Sequence, residues 1–176
     1  KQTVLTDLLA VTDDQLIEFS GAYLNKDKFH LDLEVENILL ENLLPDSPLI
    51  RQSGSADIKI LIARSVEENQ LDISAALADW NINDQQLGQF NFNANGNTQM
   101  NAYVVNFNLA KENKKELNAQ GVWQGLENPT LNLDLEFDDL DLEFLSPLGK
   151  DAIQNIGGSI KANVNLWGPL SQLKHN

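Results

Sequence analysis

Residues 131–147 read LNLDLEFDDLDLEFLSP, and this stretch decides the fold class. Leu131, Leu133, Leu135 and Phe137 alternate with Asn132, Asp134, Glu136 and Asp138. A period of two sends successive side chains to opposite faces of an extended strand, so one face is apolar and the other acidic. At Asp138 and Asp139 the phase slips, and Leu140, Leu142 and Phe144 carry the apolar series on even numbers. A one-residue slip swaps faces unless a bulge or corner absorbs it, so the pattern predicts a bend there. Residues 31–45, LDLEVENILLENLLP, match 133–147, LDLEFDDLDLEFLSP, at eight of fifteen positions with an offset of 102. The slip recurs at Glu36 and Asn37. The chain therefore reads as one β-rich segment, 1–176, with repeat units near 15–63 and 117–168.

The rest of the chain alternates in the same way. A first strand over 4–11 leads through Thr12-Asp13-Asp14 into a hairpin, 15–24 and 28–37, around Asn25-Lys26-Asp27. Ile17, Phe19 and Tyr23 share one face of its first arm. Pro45 and Pro48 break the pattern, and 48–53 is expected to hold a helical turn. Gly54 precedes a strand over 56–63 with Ile58, Ile60 and Ile62 in phase, and 70–78 repeats the alternation. A polar bend at 81–85 leads to a strand over 88–94. Asn95-Gly96-Asn97 is expected to turn it tightly, because Asn-Gly readily takes positive φ. Strands follow over 101–110 and 116–124, joined by a solvated turn at 111–115, and 125–129 turns into the organising strand. Residues 148–156, LGKDAIQNI, have helical spacing and end at Gly157-Gly158. A last strand, 159–167, closes at Gly168-Pro169. Nine or ten strands and one short helix make an all-β protein of consecutive antiparallel hairpins.

A sheet with an apolar face on nearly every strand must cover itself by curling, closing or pairing. Alternation is equally compatible with a filled sandwich and with a long half-pipe that has an apolar interior.

Composition narrows the function classes. A formal charge of −14 disfavours nucleic acid and anionic membrane surfaces as partners, because both attract basic patches. The hydrophobic content of 42% and the regular alternation distinguish the chain from a disordered acidic tail. There is no cysteine, hence no disulfide or thiol chemistry. No apolar run reaches the ~18–20 residues that span a bilayer, and no signal peptide is present. The opening Lys1-Gln2-Thr3 without Met, and the stop at Asn176 soon after a strand-like pattern, lead us to expect a fragment of a longer protein.

Candidate chemistry is thin. Asp32, Glu34, Glu36, Asp134, Glu136 and Asp138 occupy the polar phase of strands and read as a solvated face rather than an acid pair. Asp138, Asp139 and Asp141 lack a calcium-loop pattern. His30 lies on a polar strand face and His175 near the end of the sequence, neither near a second His or Cys in sequence, which reads as surface histidine rather than zinc ligand. Ser53-Gly54-Ser55 and Gly157-Gly158-Ser159 fall at matching places in the two repeats and read as turn residues. Trp80, Trp123 and Trp167 are a conceivable sugar platform, though dispersed tryptophans more often pack. No catalytic constellation, phosphate loop or dinucleotide fingerprint occurs, so neither an enzyme, a cofactor nor a metal site is expected.

The run FLSPLGKDAIQNIGGSIKANVNLWGPLSQL, 144–173, resembles a recurring unit of the TamB family (translocation and assembly module), within the AsmA-like group. Its pattern is strand, Pro, short helix, Gly, then a strand ending in Gly before a Pro-Leu step; residues 43–62 resemble a degenerate copy. Phe19-Ser20-Gly21 in the first hairpin is similar in style. The resemblance implies a periplasmic segment, from the interior or C-terminal region, of a long protein anchored in the inner membrane of a Gram-negative bacterium. It implies a β-taco, a long curled antiparallel sheet with a hydrophobic interior groove. It also implies a role in phospholipid transport between the membranes, or in outer-membrane protein and autotransporter assembly with a TamA-type outer-membrane barrel. The partners would be lipid acyl chains or nascent β-strands.

An acyl chain needs a continuous apolar surface, at ~0.8 kcal/mol per buried CH₂. The lining residues expected for such a groove are Leu31, Leu33, Val35, Leu71, Ile73, Phe90, Phe92, Tyr103, Val105, Phe107, Leu131, Leu133, Leu135 and Phe137. The alternative is a structural or adhesive β-repeat domain of a secreted or surface protein, in which the same residues fill a closed core.

Overall fold

In the computed structural model the alternation at 131–137 lies within strand β9 (Thr130–Asp141), and the related stretch at 31–35 lies within β3 (Lys28–Leu39). The structure describes residues 3–12, 14–25, 27–43, 51–65, 69–83, 85–112, 114–125, 128–143, 157–172 and 174–175. The other strands are β1 (Thr3–Val11), β2 (Leu16–Asn25), β4 (Gln52–Arg64), β5 (Asn69–Ile82), β6 (Gln85–Asn97), β7 (Ala102–Lys111), β8 (Lys114–Gln124), β10 (Ser159–Pro169) and a two-residue β11 (Lys174–His175). One short helix, α1 (Leu40–Leu43), follows β3, and a 3-10 turn, Leu170–Gln172, follows β10.

All eleven strands form a single antiparallel sheet whose spatial order is the order of the chain. Among the described residues each strand is hydrogen-bonded only to its sequence neighbours, and the sheet does not close. Most of the connections are short, as adjacent antiparallel strands allow; those from β3 to β4 and from β9 to β10 are longer and fall at matching places in the sequence repeat. The sandwich solution is therefore not the one adopted among the described residues.

The predicted phase slips are real bulges. Between Leu140 and Asp138 the pairing with β10 skips Asp139, which takes φ 69°. Between Val35 and Ile38 the pairing with β4 shifts, and Asn37 takes φ 52°. These two residues are 102 apart, so the sequence repeat carries the bulge with it. Asn and Asp tolerate the left-handed region better than other non-glycine residues. Asn37 is held there by donating its backbone N–H to the Asp57 carboxylate, 2.7 Å, and its side-chain amide to Asp14 O, 2.9 Å.

The slips also belong to a line of irregularities that crosses the sheet. It runs through Asn37 on β3, Gly54 on β4, Asp79 on β5, Gly88 on β6, Glu116 on β8 and Asp139 on β9. Each bulge bends its strand and strengthens the local twist. The well-buried side chains gather along this line. Val35, Ile38, Leu40 and Ala56 form one cluster, Leu87, Leu109 and Leu140 another, and Trp80 packs against both.

Several sequence expectations need correction. Asn95-Gly96-Asn97 is not a hairpin turn: all three residues belong to β6, and Gly96 pairs with Tyr103. The turn comes one step later, at 98–101. Asn97 Oδ1 accepts the backbone N–H groups of Gln99 and Met100, and Asn101 supplies the positive φ, 50°. Asn97 thus acts through its side chain rather than its backbone. Gln52 and Ser53 are strand rather than helical turn; the rest of that predicted turn except Arg51, and the helix predicted over 148–156, lie outside the described residues. The short helix that is present, α1, went unread because Leu40–Leu43 falls inside the repeat of a strand.

Candidate functional site

Because every strand pairs with the next, the pairings fix which side chains share a face. Ile17, Val35, Ile58, Ala75, Phe92, Phe107, Ala119, Leu135 and Val164 form one row from β2 to β10. Phe19, Leu33, Ile60, Ile73, Ala94, Val105, Gly121, Leu133 and Leu166 form a second. A third holds Gly21, Leu31, Ile62, Leu71, Gly96, Tyr103, Trp123, Leu131 and Gly168. Strands about 4.8 Å apart make such a row roughly 40 Å long.

All fourteen residues expected at a groove stand on this face: Phe90 and Phe137 lie in a fourth row beside the bulge line, with Leu77, Leu109 and Leu117, and the other twelve in the rows above. Val35, Tyr103 and Leu133 are buried, and the other eleven are half-buried. Among the described residues no large side chain is fully buried; the most enclosed are Ala56, Ala63 and Ala119. That is the burial expected of a single layer, in which each side chain is sheltered by its lateral neighbours and not by a second sheet.

Residues missing from the sequence-based list belong to the same face, among them Ile17, Phe19, Ile58, Ile60, Ile62, Val164 and Leu166. Their own period-two alternation was the signal. Trp80 is different. It lies three residues after Leu77, out of phase, and only the bulge at Ala78 and Asp79 restores it to the apolar face opposite Gly88. Its ring tilts against Phe90 with centroids 5.7 Å apart, Phe90 meets Phe107 at 6.1 Å, and its Nε1–H donates to Gln52 Oε1 at 3.2 Å. The three tryptophans do not converge: Trp80 and Trp123 are on the apolar face, Trp167 on the other.

The opposite face is polar. Glu34 pairs with Lys59 across β3 and β4, and Asp138 with Lys161 across β9 and β10, 2.7 Å. These lysines hold both carboxyls below the usual carboxylate range. Asp139 is likewise lowered, by the Ser159 hydroxyl and then by Lys114, 3.0 Å away. Asp138 and Asp139 are therefore engaged by lysine and serine, and no cluster of metal-ligating side chains occurs among the described residues. His30 is exposed on the polar face and pairs with Ala63.

Glu116, the bulged residue of β8, behaves oppositely: burial pushes its carboxyl up. A raised acid stabilises the fold below its unfolded pKa, and that contribution disappears as pH rises through the folded value. The lowered acids contribute above their unfolded values and lose that contribution as pH falls. Glu116→Gln is therefore expected to raise the thermal midpoint at pH 7 and to make no difference near pH 3, read by circular dichroism. A midpoint lowered at pH 7 would contradict the assignment.

Along the outer edge, β1 offers a strand flank that no described residue pairs with, and on it Leu8, Leu9 and Val11 are exposed. Its only charge is Asp7, and it has neither the lysines nor the proline that usually blunt an edge. No helix among the described residues is long and apolar enough to cross a membrane. Compared with known proteins, the chain matches no family model, no curated protein and no solved structure.

Proposed function

We propose that this chain is a non-enzymatic segment of a longer periplasmic protein, and that its sheet curls about the apolar face into a hydrophobic half-pipe for phospholipid acyl chains or nascent outer-membrane β-strands. One observation carries the reading: three full apolar rows cross nine consecutive strands with no second layer over them among the described residues. Soluble proteins seldom leave apolar patches beyond a few hundred Å² uncovered, and larger ones mark interaction surfaces. The bulge line supplies a place for the sheet to bend. Each methylene that an acyl chain buries there contributes ~0.8 kcal/mol, and the length of a row suits an extended chain. The free flank of β1 suits an added strand, whose backbone groups it would satisfy. Anchoring in the inner membrane and work with a TamA-type barrel complete the proposal, by resemblance to the TamB family. The acidic opposite face would keep the segment off anionic headgroups.

Native mass spectrometry with lipid extraction tests it, on wild type beside Leu133→Asp and Phe107→Asp. The expected result is phospholipid or detergent on wild type and at least a tenfold loss on a folded variant, about 1.4 kcal/mol. Clean wild type together with unfolded variants would place both residues in ordinary core and overturn the proposal.

A further inference from the structure

The polar face is not uniformly acidic. A chain that is 22% charged has no Asp, Glu, Lys or Arg at all between Gln85 and Ala110. Across β6 the polar phase is built from amides, and Asn106, Asn108, Asn118 and Gln120 continue them on β7 and β8. Asn93, Asn106 and Gln120 stand in one row that continues to Asp134 and Asn165, and Asn91, Asn108 and Asn118 in the next, which continues to Glu136 and Asn163. Asparagine is depleted in strands, so local propensity does not account for this choice. Partial pairing is present: Asn91 Nδ2 donates to Asn108 Oδ1 at 3.4 Å, and Asn165 Nδ2 to Asp134 at 2.7 Å and Asn132 at 3.2 Å. Each amide has two donor hydrogens and an acceptor oxygen, so capacity is left over.

Beside the amides runs an apolar strip. Val104, Val122 and Trp167 lie in a single row, with Asn132 between the last two, and are 46%, 43% and 36% exposed. A shallow depression over β8, β9 and β10 is lined by Asn118, Gln120, Asp134, Glu136, Asn163 and Asn165, with Leu135 and Val164 between them.

We infer that this face binds a neutral polysaccharide. A sugar ring presents hydroxyls at its rim and C–H groups on its faces. Amides and carboxylates serve the hydroxyls, while an indole and two valines serve the C–H faces. The uncharged stretch on β6 and β7 offers nothing for an ionic ligand to pair with. The carboxylates at Asp134, Glu136 and Asp72 repel polyanions, and the nearby lysines 59 and 161 are already engaged by Glu34 and Asp138. Sites repeat at the strand spacing of about 4.8 Å, comparable to a sugar ring, so an extended chain can lie across the strands. The inference is independent of the apolar-face reading, since it concerns the other side of the sheet.

The test is an NMR titration of the folded chain with cellohexaose and with chitohexaose. Saturable shifts are expected at the side-chain amides of Asn106 and Gln120 and at the Trp167 indole. Trp167→Ala and the double variant Asn106→Leu/Gln120→Leu should each weaken binding about tenfold. Undisturbed resonances elsewhere would show that the variants are folded. Absence of saturable shifts with both glycans, binding unchanged in both variants, or shifts confined to the apolar face around Leu133 would each overturn the inference.

Discussion

Gly121→Val is expected to destabilise the sheet by about 3 kcal/mol, the upper end for overpacking, and to lower the thermal midpoint by ~10 °C. Gly121 lies on the apolar face between Val105 and Leu133. A Cβ there would run into the carbonyl oxygen of Asn132 and stand 2.7 Å from Leu133 Cα. Both obstacles are backbone of β9, so no side-chain rotation relieves them. The two strands must separate or the ladder must break. Gly96 repeats the arrangement against Ala102 and Tyr103, so close approach is a feature of this face and not of one residue. Gly157→Ala is the control, because nothing lies within 4 Å of a Cβ at that position. Thermal melts by circular dichroism decide the matter: a Gly121→Val midpoint within about 3 °C of wild type would show that β8 and β9 yield without cost.

The glycines show where reading the sequence succeeds and where it stops. The alternation at 131–137 and 31–35 was legible to the residue, and the slips were legible to within one residue, at Glu36 and Asn37 and at Asp138 and Asp139, because a one-residue slip in a period-two pattern has few physical solutions. Gly96 was misread. Asn-Gly is chemically suited to a turn, but the flanking phase keeps β6 apolar on Phe90, Phe92 and Ala94, so β6 runs on to Asn97 and the glycine is used for contact with Tyr103. Strand ends were drawn short at Gln52, Ile82 and Lys114 for a related reason. Polar residues extend a strand whenever the neighbouring strand offers a ladder, and that depends on the partner rather than on the residue. The fourteen residues expected at a groove share one face of the sheet, because face follows from parity. Whether that face is enclosed depends on curvature, which is set by bulges summed over many strands and has no signature in any single one.

Trp80→Ala is expected to cost about 3 kcal/mol and to divide the unfolding transition in two. Trp80 packs against the cluster of Val35, Ile38, Leu40 and Ala56 on β3, α1 and β4, and equally against Leu87, Leu109 and Leu140 on β6, β7 and β9. In a sheet whose strands are hydrogen-bonded only to their sequence neighbours among the described residues, side chains that bridge separate clusters are what couples one end to the other. Without the indole the first cluster loses a wall and Gln52 loses its hydrogen-bond donor. Trp80→Phe keeps a ring beside Phe90 and gives up chiefly the hydrogen bond, so it should cost about 1 kcal/mol and leave one transition. Urea unfolding followed by circular dichroism and by the fluorescence of Trp123 and Trp167 separates these cases. Those tryptophans report from β8 and β10, strands that pack against the second cluster through Leu117 and Ile160, while circular dichroism averages all strands. In Trp80→Ala the two probes should diverge, with the β2–β4 end melting first. Coincident curves, or equal costs for the two substitutions, would mean that the backbone ladder alone carries cooperativity across the sheet, and that the bulge line on which Trp80 stands bends the sheet without tying it together.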